Sequence, residues 1–206
     1  MWKARKQRAA ATALLACVLL GVYGARVAWV NANAKAEEIP QQTYATGQDV
    51  ALKGSFFESK DVESTGSYSV RLVKAELMSR SEYLEESDGA TQASVKEARS
   101  IVVLELALRN DGDEPGAYNL LFSVLSAKDG SQYLIADTEL WSKVNPKVSA
   151  GQYMVAVRPH SEYVARIPYA INSSGDKKYE EAIGAKSFWL AVSDYPVKNV
   201  IDVELD

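Results

Sequence analysis

The sequence has few of the residues on which metal and nucleophilic chemistry usually depend. It contains one cysteine, Cys17, and one histidine, His160, among 206 residues. A single cysteine forms no disulfide within the chain, and together the two residues cannot complete a structural zinc site. A Ser-His-Asp triad would have to use His160, but its neighbour Ser161 does not lie in a G-x-S-x-G turn. We therefore expect a non-enzymatic protein that is held by its core alone and binds no cofactor or metal.

The chain also lacks a glycine-rich phosphate loop. Beyond its N-terminus it has no excess of basic residues. Residues 1–34 carry five cations and no acid, so residues 35–206 hold 18 basic and 27 acidic residues, a net charge of −9. Nucleic-acid binding needs a basic surface, so we expect no nucleic-acid partner. Apolar residues make up 47% of the chain, which is enough for one well-buried domain.

The first thirty residues predict an export segment. Residues 1–8 contain four cations, residues 9–30 are apolar apart from Arg26, and Trp2 and Trp29 bracket the apolar run. At about 1.5 Å per residue this run is long enough to cross a bilayer about 30 Å thick. The preceding cations predict a single-pass protein of the cell membrane, with a cytoplasmic N-terminus and an extracytoplasmic C-terminal domain.

Two other fates of this run stay open. The segment Ala32-Asn33-Ala34 fits a signal-peptidase site, and cleavage after Ala34 would secrete the domain. Lipidation at Cys17 is the second open fate, although the apolar run continues well beyond this cysteine. Small residues at every fourth position, including Ala13, Cys17 and Gly21, would let two such helices pack together and self-associate weakly. An alanine-rich helix also produces this spacing by chance.

The remaining chain predicts an all-β fold. Residues 31–47 are polar and contain Pro40, so we interpret them as a spacer before a domain at 48–206. The clearest strand is Ile101 to Asn110, whose one apolar face carries Val102, Leu104, Leu106 and Leu108. Further short strands are predicted at 49–57, 68–78, 119–127, 132–135, 153–157, 162–171, 187–192 and 200–205, and a short helix at 177–183. About nine strands separated by turn signals are typical of an immunoglobulin-like antiparallel β-sandwich with one or two short helices.

Local signals refine this prediction. Ser79 and Glu82 form a capping box, which predicts a short helix through Glu86 at the start of the polar excursion 79–100. The apolar face switches within the strand at 68–78, which predicts a β-bulge or burial on both sides.

Two further residues predict a sheet edge and a core position. Pro168 removes one ladder donor, which predicts that the strand at 162–171 lies at a sheet edge or is bulged there. Trp189, in the continuous apolar run SFWLAV, is expected in the core.

Two features are candidates for binding. Trp141 lies in the polar segment 137–147, which we interpret as irregular or as a short edge strand. An exposed tryptophan there would anchor a partner protein or stack on a sugar, whereas a buried one would close the end of the sandwich. The turn DGDEPG contains Asp111, Asp113 and Glu114, whose carboxylates would surround a calcium ion or simply serve a tight turn.

Segments spread along the chain carry a resemblance. They are GSFF (54–57), YSVRLVKAEL (68–77), RN (109–110) with NLL (119–121), ELW (139–141), NP (145–146) and LAVSDYPVK (190–198). The chain resembles, over about its whole length, a family of uncharacterised Gram-positive cell-envelope proteins with one N-terminal anchor. The resemblance implies an extracytoplasmic immunoglobulin-like domain of unknown function, and it implies no activity and no catalytic residues.

The sequence therefore predicts a non-enzymatic interaction module, anchored in the membrane through residues 9–30, with a protein partner in the cell envelope. The alternative is an envelope sensor that binds a small ligand or a glycan at the Trp141 end. Fold alone does not choose between them, because sandwiches host unrelated functions.

Overall fold

The structure is a computed structural model that describes residues 2–33, 39–87, 98–145, 148, 154–171 and 183–205. Within the first helix, side chains are described from residue 17 to residue 32. Residues 88–97 of the predicted excursion 79–100, and all but the last residue of the predicted helix 177–183, lie outside the described residues. The chain divides into two compact units, residues 1–38 and 39–206.

The first unit is one helix, α1 (Trp2–Asn33). No helix among the described side chains is long and apolar enough to cross a membrane. Cys17 and Gly21 are exposed on α1. The side chain of Ala13, which belongs to the same predicted row of small residues, lies outside the described residues.

The second unit is mostly β-structure, with eleven strands and two α-helices among its described residues. In chain order they are β1 (Gln41–Tyr44), β2 (Val50–Ala51), β3 (Tyr68–Ser79), α2 (Arg80–Glu86), β4 (Ser100–Asn110), β5 (Tyr118–Asn119), β6 (Leu125–Ala127), β7 (Tyr133–Leu134), α3 (Thr138–Val144), β8 (Met154–Val155), β9 (Ser161–Ile171), β10 (Phe188–Ser193) and β11 (Lys198–Val203). A 3-10 turn, Leu120–Phe122, joins β5 to β6.

Two sheets share one hydrophobic core. One has the strand order β1-β11-β10-β6-β7 and the other β2-β3-β4-β9, while β5 and β8 form a small third sheet. Both large sheets contribute apolar side chains to the same core. The predicted stripe of β4 lies within it, because Val102, Leu104, Leu106 and Leu108 are all fully buried. The prediction of a β-sandwich built around this strand is confirmed.

Three local predictions are also confirmed. The pairing of β3 with β4 shifts register between Leu72 and Lys74, so the strand carries the predicted β-bulge. The Ser79 hydroxyl accepts from the Glu82 amide, and the Glu82 carboxylate accepts from the Ser79 amide, which is the predicted capping box of α2. β9, which contains Pro168, lies at the edge of its sheet.

The start of the domain differs from the prediction. β1 lies inside the predicted spacer 31–47 and pairs in parallel with β11, so the larger sheet is not purely antiparallel. The sequence of β1, QQTY, has no apolar stripe. The strand does not need one because it is held mainly through backbone pairing with β11. The predicted strand 49–57 shortens to β2 because Lys53 and Gly54 adopt φ angles of 52° and 83° and turn the chain.

Two tryptophan-containing segments also differ. Residues 138–144 of the predicted segment 137–147 form α3 rather than an edge strand, because the Asp137 carboxylate caps the amides of Glu139 and Leu140. Trp189 points out of the sandwich and is 37% exposed, so its prediction as a core residue was wrong. The run SFWLAV is apolar on both faces and therefore does not show which alternate residues point inward.

The β4 stripe provides a direct test of the core. We expect Leu106→Ala to lower the free energy of unfolding of the 39–206 domain by about 2–5 kcal/mol, because it removes buried methyl groups and leaves a cavity. Val73→Ala is the control, since Val73 is half-exposed beside the bulge and should change stability by less than about 1 kcal/mol. Urea unfolding followed by tryptophan fluorescence measures both, and an equally small effect of the two substitutions would contradict this core.

Buried tyrosines predict a loss of stability in alkali. Burial raises the pKa of Tyr118 and Tyr169 above the ordinary value of 10.0, and their hydroxyls donate to the carbonyls of Val192 and Ser123. The unfolded chain releases these protons near pH 10 while the folded domain keeps them. Stability is thus fully present below pH 10 and falls above it, by about 1.4 kcal/mol per pH unit for each tyrosine.

Urea unfolding between pH 8 and pH 11.5 measures this slope. Tyr118→Phe should reduce it, whereas Tyr133→Phe should leave it unchanged because Tyr133 is largely exposed. A slope that Tyr118→Phe does not alter would contradict the assignment.

Candidate functional site

One end of the sandwich gathers five loops, among them the acidic turn that the sequence singled out. β4 ends there at Asn110, opposite the start of β9 at Ser161, and β10 ends there beside the start of β11. We call this the loop end; it consists of residues 53–67, 111–117, 120–124, 158–160 and 194–197. The chain also enters the sandwich here, since the carbonyl of Pro40 accepts from the Lys198 amide.

The acidic turn at the loop end is built around the buried amide of Asn110. Its Oδ1 accepts from the Gly112 amide and the Ser67 hydroxyl, each at 2.9 Å. Its Nδ2 donates to the carbonyls of Glu114 at 2.7 Å and Val157 at 2.9 Å. All four hydrogen-bonding positions of the amide are used, so protein groups alone fix the backbone of this turn.

The predicted acidic residues project from that turn into solvent. Asp111 accepts from Arg109 Nε at 2.7 Å, and Asp113 lies 3.1 Å from His160 Nε2, while the carboxylate of Glu114 is exposed. No group of three or more potential ligands that could hold a metal ion occurs among the described residues.

The backbone conformation of the acidic turn explains why a glycine occupies position 116. Gly116 has a φ of 62°, and a Cβ there would contact the ring of Tyr68. The sequence DGDEPG therefore meets the steric needs of a tight turn.

Trp141 is not a surface residue. It lies on α3, is 1% exposed and belongs to the main core, so the prediction of an exposed anchor was wrong and the alternative of a buried plug is correct. Its neighbour Asn145 ends the helix and binds the Trp141 carbonyl through Nδ2. The partial amphipathic pattern of Leu140, Trp141 and Val144 was the available signal for a buried helix face.

An aromatic surface that the sequence did not predict lies at the loop end. We call it the aromatic rim: Phe56, Phe57, Phe122 and Tyr195. Phe56 stacks on Tyr195 with ring centroids 6.4 Å apart, and Phe57 lies 6.4 Å from Phe122. Phe122 and Tyr195 are 50% and 51% exposed. The available signal was the adjacent pair Phe56-Phe57 immediately before a charged turn.

A buried carboxylate holds the rim in place. Glu63 is 3% exposed, and its Oε1 accepts from the amides of Phe57 at 2.9 Å and Glu58 at 2.8 Å. Its Oε2 accepts from the Asn119 amide at 3.1 Å, immediately before the 3-10 turn that carries Phe122. One side chain thus joins two of the three loops that present the rim, those of Phe57 and Phe122. Charge-assisted hydrogen bonds to backbone amides offset the cost of burying the charge.

A second exposed apolar surface lies on the outer face of the five-stranded sheet. Trp189 of β10 pairs with Ser126 of β6, which pairs with Tyr133 of β7, so the three side chains point to the same face. Tyr133 is 72% exposed, and Ile135, just beyond β7, is 64% exposed.

The two sheets, their shared core and these exposed aromatic surfaces define a β-sandwich domain without a recognisable catalytic constellation among its described residues. The chain belongs to the family described as a domain of unknown function, DUF5028, whose match covers residues 41–199. The family match therefore begins at β1, in agreement with the domain start seen in the structure. No curated protein has a similar sequence.

Three solved structures are similar at low identity. An uncharacterised β-sandwich protein from Clostridium difficile has 10% identity and a TM-score of 0.46, covering 84% of this chain and all of its own. The yjhA protein from Bacillus subtilis has 11% identity and a TM-score of 0.40, covering 79% of this chain and 99% of its own. A conserved hypothetical protein from Bacillus anthracis has 14% identity and a TM-score of 0.39, covering 74% and 95%.

Substitution of Glu63 tests whether its hydrogen bonds stabilise the loop end. Glu63→Gln keeps the shape of the side chain but removes its charge and presents an amide donor to one of the three backbone N–H groups. We expect it to lower the free energy of unfolding by about 1–3 kcal/mol. Urea unfolding measures the change, with the exposed neighbour Glu58→Gln as a control expected to have little effect. Equal stability of both variants would show that Glu63 does not organise the rim.

Proposed function

We propose that this protein is a non-enzymatic interaction module that binds a partner protein through the aromatic rim at its loop end. The rim itself supports the proposal: half-exposed Phe122 stands on a loop that the buried Glu63 joins to the Phe56-Phe57 loop, and half-exposed Tyr195 is tied to Phe56 by backbone hydrogen bonds. Aromatic side chains are enriched in protein interfaces and among the residues that dominate binding energy. Because Glu63 fixes the loops before binding, little conformational entropy remains to be lost when a partner docks.

The proposed location is the outer face of the cell membrane, in the cell envelope. The sequence supports it through the cationic residues 1–8 and the apolar run 9–30, which would hold the domain as an uncleaved anchor. The proposed topology is immunoglobulin-like, supported by two mainly antiparallel sheets that enclose one core. Cleavage after Ala34 would instead release the domain.

Glycan binding is the second candidate, and Trp189 is the observation that favours it. Its ring is 37% exposed on a sheet face, between strands that also carry the ion pair of Lys128 and Asp202 at 2.9 Å. An aromatic face beside charged hydrogen-bonding groups is suited to a sugar ring. The sequence predicted glycan binding at Trp141, but this side chain is buried and presents no surface to a sugar.

Site-specific photo-crosslinking in the native cells tests the proposal. A photo-reactive amino acid replaces Phe122 in the full-length chain, and in a matched control it replaces Val73, which is equally exposed but lies on β3, away from the rim. We expect one stoichiometric protein adduct from position 122 and none from position 73.

The double substitution Phe122→Ala, Tyr195→Ala should also prevent co-purification of that protein. The same adducts at both positions, or none at position 122, would contradict the proposal. Glycan-array binding that disappears in Trp189→Ala would favour the second candidate instead.

A further inference from the structure

Edge strands of the two sheets differ in whether other parts of the chain bind their outer backbone groups. In the smaller sheet, residues outside the sheet bind the outer backbone groups of its edge strand β9. Asn145 Oδ1 accepts from the Arg166 amide at 3.1 Å and its Nδ2 donates to the Arg166 carbonyl at 2.7 Å, as a neighbouring strand would. The Asp137 amide donates to the Pro168 carbonyl at 2.8 Å. Covering an edge in this way prevents another chain from pairing with it.

β7, the edge strand of the five-stranded sheet, has no such cover among the described residues. The Ala127 amide donates to the Gln132 carbonyl, and Ser126 is paired with Tyr133, so Tyr133 occupies a non-hydrogen-bonded position of the β6–β7 ladder. Its N–H and C=O therefore point away from β6, towards the open side. No hydrogen bond from a described residue reaches either group.

The side chains along this edge are apolar. Tyr133 and Ile135 are the two most exposed large apolar side chains described in the domain, and they are two residues apart. Leu134, between them, packs against the main core. Edge strands that must stay unpaired usually carry charges or proline, and residues 133–135 carry neither. The opposite edge, β1, has the polar sequence QQTY.

We propose that β7 accepts an extended segment of a partner protein as an added strand. This surface is separate from the aromatic rim, and the proposal does not depend on it. The backbone groups of Tyr133 match those of another strand, which supplies a donor and an acceptor at strand spacing. An incoming strand would place alternate side chains beside Tyr133 and Ile135, so apolar residues at every second position fit this edge.

Charge favours a basic partner over a second copy of this chain. Asp137 and Glu139 follow the edge directly, while Asp129, which precedes it, is already paired with Lys186 Nζ at 3.3 Å. Residues 35–206 have a net charge of −9, so two copies repel each other while a cationic segment is attracted. The edge is also only two paired residues long, which is much less than a stable symmetric dimer needs.

Peptide selection on the 39–206 domain, which is a compact unit with its own core, tests this proposal. The probe is a displayed library of random nine-residue peptides. We expect selected peptides with apolar residues at alternate positions and at least one lysine or arginine, and slower amide hydrogen exchange at Tyr133 when they bind. Peptides that leave the Tyr133 amide unprotected, or no enrichment, would overturn the proposal.

Substitutions at Tyr133 separate its backbone from its side chain. Tyr133→Pro removes the outward N–H, which the β6–β7 ladder does not use, and should weaken binding of the selected peptides about ten-fold or more. Tyr133→Phe keeps that N–H and the ring and should bind normally, while Tyr133→Ala keeps the N–H alone and should fall between them. Urea unfolding checks that each variant is folded, and Ile135→Lys, which places a charge on the edge, replaces the proline variant if that one unfolds.

The remaining outcomes are distinct. Equal binding by Tyr133→Pro and Tyr133→Phe would show that no strand is added. Concentration-dependent dimers that Tyr133→Pro abolishes would show that the occupant is a second copy, which would also overturn the proposal. Crosslinking from position 122 is independent of these variants, so this proposal and the proposed function can fail separately.

Discussion

The Phe57 and Phe122 loops of the aromatic rim depend on a single buried carboxylate. Three backbone N–H groups from these two loops bind the oxygens of Glu63. Asn110 plays the same part for the acidic turn and Asn145 for the edge of β9. In a chain that cannot form an internal disulfide, buried polar side chains thus organise the irregular backbone that the apolar core does not reach.

The aromatic rim and the β7 edge differ in how they would recognise a partner. The rim presents rings fixed on rigid loops, so binding there would depend on shape and on apolar area. The edge presents backbone groups of Tyr133 that no described residue binds, between exposed apolar side chains, so it would recognise an extended conformation. This contrasts with β9, whose backbone the chain covers with Asn145 and Asp137.

The sequence predicted those parts of the fold that have a repeating or local signal. The alternation in β4, the face switch in β3 and the capping box of α2 each follow from residues close in sequence. β1 was missed because its hydrogen bonds come from β11, far along the chain. The positions of Trp141 and Trp189 were reversed, since an apolar run does not show its phase and the Asp137 cap was not recognised. The aromatic rim brings three separate loops together, so the pair Phe56-Phe57 alone does not reveal it, and in the acidic turn the steric requirement lies at Gly116 while the predicted carboxylates are exposed.

The proposed function requires Glu63 to hold the rim in its binding geometry before any partner arrives. Amide hydrogen exchange of the free 39–206 domain measures this at the Phe57, Glu58 and Asn119 amides that the carboxylate binds. These amides should exchange as slowly as those of β4, because their hydrogen bonds open only when the domain unfolds. Exchange as fast as that of the exposed Asp113 amide would contradict it.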